Sequence, residues 1–147
     1  MSLVLNEEQR LLQDTAKDFL LKKSPVSALR ALRDERDELG YSAELWQEMA
    51  AMGWAGIILP EQYGGLEFGF AGMGAVMHVA GATLTASPLM ASAITGASAV
   101  LLGGTEAQKE SLLPQVASGE LTLTLALEET PHHNPLGCEL SASQTDN

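Results

Sequence analysis

Cysteine is nearly absent: Cys138 is the only one in 147 residues. A lone thiol excludes an internal disulfide framework and a cysteine-based zinc cluster, and it suits a reducing compartment, here read as cytoplasmic. Cations are scarce as well, with 8 Lys+Arg against 19 Asp+Glu and a formal net charge of −11. Nucleic-acid affinity rests on clustered cations that neutralise phosphates, so no DNA or RNA partner is expected. The opening MSLVLNEEQRLL has neither the cationic start nor the apolar run of a secretory signal. Internal repeats and low-complexity tracts are missing too. Asp, Glu, Lys and Arg do not occur from Phe68 to Thr105. Pro88 breaks that stretch, and the apolar helices expected on either side of it are only about fifteen residues long, whereas a membrane span needs about 20. No membrane span is expected, and a buried pair of helices is the better reading.

What remains is a globular composition, 46% hydrophobic and 18% charged. The length suits one domain, or one domain with a piece of the next. All the cations except Lys109 precede Asp37, so the first quarter is balanced in charge and the rest is acidic and apolar.

Helix signals are strong early in the chain. Asn6 is an N-cap residue with Gln9 in capping-box spacing, and Leu12, Ala16, Phe19 and Leu20 form one apolar face. Pro25 ends that helix near Ser24, because the residue before proline avoids the helical region. A second helix is expected from Val26 to Glu38, stopping at Gly40. A third starts at Ser42, with Tyr41 and Trp46 as a hydrophobic staple and Gly53 as the left-handed residue beyond its end. The glycine-rich linker that follows holds Ile57, Ile58 and Leu59, a run that should pack. Two apolar helices come next, about Met73–Ala86 and Leu89–Leu102, apolar nearly all round and so read as interior. Thr105 with Gln108 opens another helix by a capping box, which Pro114 is expected to interrupt and Gly119 to close. Then the period changes: Leu121, Leu123, Leu125 and Leu127 alternate with Thr122, Thr124, Ala126 and Glu128, the pattern of a strand with one buried face. Cys138, Leu140 and Ala142 alternate again, and Asp146-Asn147 has the chemistry of a hairpin turn. The expected fold is all-α, a helical bundle of five to six helices, followed by one or two strands of a truncated β domain.

The run Gly104-Thr105-Glu106-Ala107-Gln108-Lys109, then Leu113-Pro114, then Ala117-Ser118-Gly119-Glu120 before an alternating strand, resembles the acyl-CoA dehydrogenase family. The opening LNEEQRLLQDTAKDFL and the linker GWAGIILPEQYGG, Gly53 to Gly65, support the match. The resemblance covers nearly the whole chain but only the first of that family's three domains. It implies a helical N-terminal domain at 1–120 and the beginning of a middle β domain at 121–147. It also implies an oxidoreductase of fatty-acid metabolism, a flavoprotein with FAD, acyl-CoA as substrate, electron-transfer flavoprotein or a similar acceptor, and a homo- or hetero-oligomer. In such enzymes a carboxylate removes the proton α to the thioester carbonyl while hydrogen bonds stabilise the enolate, and a hydride leaves the β carbon for the flavin. The catalytic glutamate of the family belongs to its C-terminal domain, so no glutamate here inherits the role. This chain alone is expected to hold no flavin and to oxidise nothing.

The resemblance further places Leu125, Leu127 and Glu128 at the flavin, and Leu89, Ser92, Ala93, Gly96 and Asn134 at the substrate. The family's Thr-Glu-Pro falls on Glu128-Glu129-Thr130, a departure, since threonine donates and an ionised carboxylate only accepts. A different flavin environment, a one-residue shift and a non-catalytic subunit of a heteromeric member all stay open. So does a stand-alone helical protein-interaction module. Met73, Met77 and Met90 are read either as acyl-pocket lining or as core filling. His78 is taken for a core or interface histidine, His132-His133 for loop residues, and Cys138 for a small buried hydrophobe.

Overall fold

The computed structural model describes residues 4–143, so the expected turn at Asp146-Asn147 lies outside the described residues. Six α-helices appear among the described residues: α1 Glu7–Lys23, α2 Val26–Glu35, α3 Ala43–Ala51, α4 Gly69–Thr83, α5 Ala97–Gly103 and α6 Glu106–Ala117. A π-helical segment, Leu89–Gly96, runs directly into α5. Short 3₁₀ turns at Trp54–Gly56 and Glu61–Tyr63 lie between α3 and α4. The architecture is all-α.

The caps explain the starts. Asn6 and Gln9 satisfy each other's backbone N–H groups at the head of α1, and Thr105 and Gln108 do the same for α6. Ser42 accepts from the Leu45 N–H to open α3. Each such cap contributes about 1 kcal/mol. Three ends differ from the expectation. Helix α2 stops at Glu35 because Arg36 turns left-handed, and the Asp37 carboxylate then accepts the N–H groups of Leu39 and Gly40. Helix α4 stops at Thr83, where Leu84 is left-handed and the Thr85 N–H returns to the Ala80 carbonyl, closing the end as a Schellman motif. Pro114 does not interrupt α6, which continues to Ala117. The proline is exposed, so water can serve the carbonyl whose donor it lacks.

Helix α1 packs along α4, and their shared apolar faces build the main core. Leu20, Met49, Trp54, Ile57, Met73, Val76, Leu89 and Ala93 are all essentially inaccessible there. The Phe19 ring meets Trp54 edge-on at 5.4 Å. A second cluster gathers Leu59, Tyr63, Ala97, Leu113, Val116 and Ala117 under α6. Tyr63 donates to Glu106, which also pairs with Lys109, pinning the linker to α6. Helix α4 is not covered on every side: Phe70, Gly74, His78 and Gly81 are exposed, so the all-round apolar pattern overstates its burial in this chain.

The strand at 121–127 is not formed, and neither is one at 138–142; among the described residues there is no strand. Half of the alternating pattern survives. Leu121 and Leu123 pack on the second cluster while Thr122 and Thr124 face outward, but Leu125 and Leu127 are 47% and 42% exposed. A strand needs a neighbour for its N–H and C=O groups, and no second segment of the described chain lies alongside to supply one.

Truncation in the core should separate from truncation at a cap. Leu20→Ala is expected to cost about 2–5 kcal/mol, and Thr105→Ala about 1 kcal/mol. Urea unfolding followed by far-ultraviolet circular dichroism measures both.

Candidate functional site

Four of the five expected substrate residues, Leu89, Ser92, Ala93 and Gly96, sit on the π-helical segment, which starts after Pro88, and Asn134 lies apart from them against Glu128. Its wide winding is marked by the Thr95 hydroxyl donating to the Met90 carbonyl, five residues back, at 2.9 Å. π-helical turns occur mostly where function imposes them. Leu89 and Ala93 point into the main core. Ser92 is fully buried and its Oγ accepts the Leu123 N–H at 3.0 Å. Gly96 faces Leu123 so closely that a Cβ there would stand 2.4 Å from the Leu123 Cβ. These four residues thus form the floor beneath residues 121–123 and the core behind it.

Open space lies to either side. A cavity of about 220 Å³ between α4 and the π-helical segment is bounded by Met77, Gly81, Leu84, Thr85 and Met90. Met73 is buried core, so the methionines divide: Met77 and Met90 rim the cavity and Met73 fills the interior. A larger cleft of about 500 Å³ is bounded by Tyr41, Ser87, Pro88, Ala91, Thr122 and Thr124. The sequence reasoning missed this cleft, because its walls come from segments about 35 to 45 residues apart in the chain; the hydroxyls at Ser87, Thr122 and Thr124 were the available signal.

Residues 128–140 close on themselves. Glu128 contacts the His133 ring and accepts the Asn134 N–H. Glu129 accepts the N–H groups of Glu139 and Leu140 and the Cys138 thiol. The thiol and the two backbone N–H groups hold the Glu129 carboxyl below the usual carboxylate range, and the same carboxylate pushes the Cys138 thiol up. Cys138 is exposed, contrary to the buried reading, because the stretch around it packs on no core. His78 is also exposed, beside Asp14 and Lys17 on a cleft between α1 and α4. Among the described residues no three His, Cys, Asp or Glu side chains gather to hold a metal, and no helix is long and apolar enough to cross a membrane.

Residues 6–120 match the family model for the acyl-CoA dehydrogenase N-terminal domain. The chain belongs to the acyl-CoA dehydrogenase family. It is 33% identical over 127 residues to the mitochondrial isovaleryl-CoA dehydrogenase of Bos taurus, a match covering 85% of this chain and 29% of that protein. The solved Tcur3481-Tcur3483 steroid ACAD variant is similar at TM-score 0.75 and 33% identity, over 84% of this chain and 33% of that one. A Bacillus anthracis acyl-CoA dehydrogenase complexed with FAD matches at TM-score 0.68 and 23% identity, over 80% of this chain and 20% of that one, a likeness of fold alone. The chain therefore spans less than a third of the bovine relative's length.

For an acyl-CoA dehydrogenase, the fit to FAD at the expected positions is divided. Leu125 and Leu127 present apolar surface suited to a ring. Glu128 does not suit one: it is an acceptor where the resemblance puts a hydroxyl donor, and it is already engaged by His133 and Asn134.

Acidification should open the 129–140 closure. A carboxyl depressed in the folded chain contributes above its unfolded pKa, and that contribution is lost as the pH falls through its folded value. The Glu139 and Leu140 amide resonances are expected to shift together below the ordinary carboxylate range. Glu129→Gln should speed alkylation of Cys138 at neutral to mildly alkaline pH, measured with a thiol reagent.

Proposed function

We propose that the chain is the helical N-terminal portion of a flavin-dependent acyl-CoA dehydrogenase, contributing part of the acyl pocket and a surface for its other domains and subunits. The observation that carries the reading is the family match, which ends at Glu120, where the chain passes from helices to residues leaning on the π-helical segment. This reading puts a domain boundary between 120 and 121, which the end of the family match supports. In this reading the enzyme desaturates an acyl-CoA thioester between its α and β carbons, FAD supplies the hydride-accepting chemistry, and electron-transfer flavoprotein or a similar protein accepts the electrons. The enzyme is a cytoplasmic oligomer.

This chain's own part is positional. Leu89, Ser92, Ala93 and Gly96 form a dense floor under residues 121–123, and the acyl group lies beside it in the hollow rimmed by Met77 and Met90, side chains that adapt to flexible ligands. Leu125 and Leu127 offer an apolar wall to the cofactor. Glu128 spends its carboxylate on placing Asn134 near the substrate. A second reading, a non-catalytic subunit of a heteromeric member, is favoured by the acceptor-only Glu128 where the family has a threonine.

The purified chain is expected to show no flavin absorbance and no thioester-dependent dye reduction. A longer polypeptide carrying it, alone or with a partner subunit, should reduce the dye with acyl-CoA and prefer chains beyond the shortest thioesters. One flavin bound per isolated chain, or no thioester turnover by the longer polypeptide in either form, overturns the proposal.

A further inference from the structure

Two contacts of different kinds meet at Leu123. The first is a directed hydrogen bond, from its N–H to the Oγ of Ser92, a hydroxyl wholly shielded from water. The second is a close approach that a glycine permits: an added Cβ on Gly96 would lie 2.4 Å from the Leu123 Cβ and 3.2 Å from its carbonyl carbon. Two residues earlier, the Leu121 N–H is taken by the Gln115 carbonyl of α6. Beyond residue 124 the chain turns to itself, through Glu128 and Glu129. Leu123 is thus the last point at which a backbone hydrogen bond ties the departing chain to the helical body among the described residues.

We propose that Ser92 and Gly96 form a seat that sets the register and direction in which the chain leaves the helices, which makes Ser92 a positioning residue. The pattern of period two gives the seat its leverage. A slip of one residue would put Thr122 or Thr124 on the seat and turn Leu125 and Leu127 to the opposite face. A half-buried main-chain amide against this floor also needs an acceptor, and Ser92 is the side chain that provides it. The same seat holds Thr122 and Thr124 in place as one wall of the cleft of about 500 Å³. That the segment serves a dehydrogenase site rests on the function proposed above; the seat itself rests on the geometry.

Amide hydrogen exchange, read by NMR on the 147-residue chain, tests it. The Leu123 amide is expected to exchange about tenfold more slowly than those of Thr122 and Thr124. Ser92→Ala should erase that difference, and so should Ser92→Cys, close in size but a poor acceptor, while the Val76 and Leu20 amides keep their protection. Gly96→Ala should move the Leu121 and Leu123 methyl resonances without touching the Ser92 hydroxyl. Equal exchange at 122, 123 and 124 in the parent chain, or an unaltered Leu123 amide in Ser92→Ala, overturns the seat. In the longer polypeptide, Ser92→Ala should lower kcat more than it changes KM for the thioester. A seat confirmed by exchange in a polypeptide without thioester turnover would leave the geometry standing and overturn the function proposed above.

Discussion

One oxygen joins the two halves of the helical body. The carbonyl of Gly119 accepts the Trp46 indole N–H at 3.0 Å and the Gln47 carboxamide at 3.2 Å, so the end of α6 is tied to α3 across more than seventy residues of chain. The geometry demands glycine. Gly119 has φ 77°, and a Cβ on it would stand 2.5 Å from the Ala50 Cβ. Trp46 lies in the main core, while Val116 and Ala117 lie in the second cluster, so the shared acceptor links the two apolar clusters. Where the chain goes after residue 119 depends on this closure.

The chain then meets a second constraint, the scarcity of backbone partners. Inside the helices each N–H has a carbonyl one turn away. After Glu120 a partner must come from elsewhere, and among the described residues α6 and the π-helical segment supply two, at Leu121 and Leu123. Further on, side chains substitute for a neighbouring strand: the carboxylates of Glu128 and Glu129 collect N–H groups from residues 134, 139 and 140. Of these two positions only 128 departs from the family's Thr-Glu-Pro, placing a two-oxygen carboxylate where that pattern has a hydroxyl, whereas Glu129 keeps the pattern's glutamate.

The side-chain-capped helix starts were legible because they are local, whereas α4, which has no side-chain cap, starts at Gly69 and not at the expected Met73. Asn6 with Gln9 and Thr105 with Gln108 need only a spacing of three residues, and Gly53 stands left-handed where the end of α3 asked for it. The helix ends were less so. Asp37 captures two N–H groups and shortens α2, and Leu84 takes a left-handed turn that its residue type disfavours, held by the carbonyls of α4. Of the candidate site, Ser92 and Gly96 were singled out in the sequence only through the family resemblance. Their common partner, Leu123, was not, since nothing in residue spacing pairs position 123 with 92.

By itself the sequence determined the helical character of the body, its capped starts, the apolar face of α1 and the family to which the chain belongs, because each depends on neighbours within a turn or on a motif read in order. Only the tertiary structure decided that the alternating leucines form no strand, that the π-helical segment carries residue 123, and that Cys138 faces solvent. Those outcomes turn on whether a distant part of the chain offers a hydrogen-bond partner or an apolar surface, and a linear pattern holds no record of that.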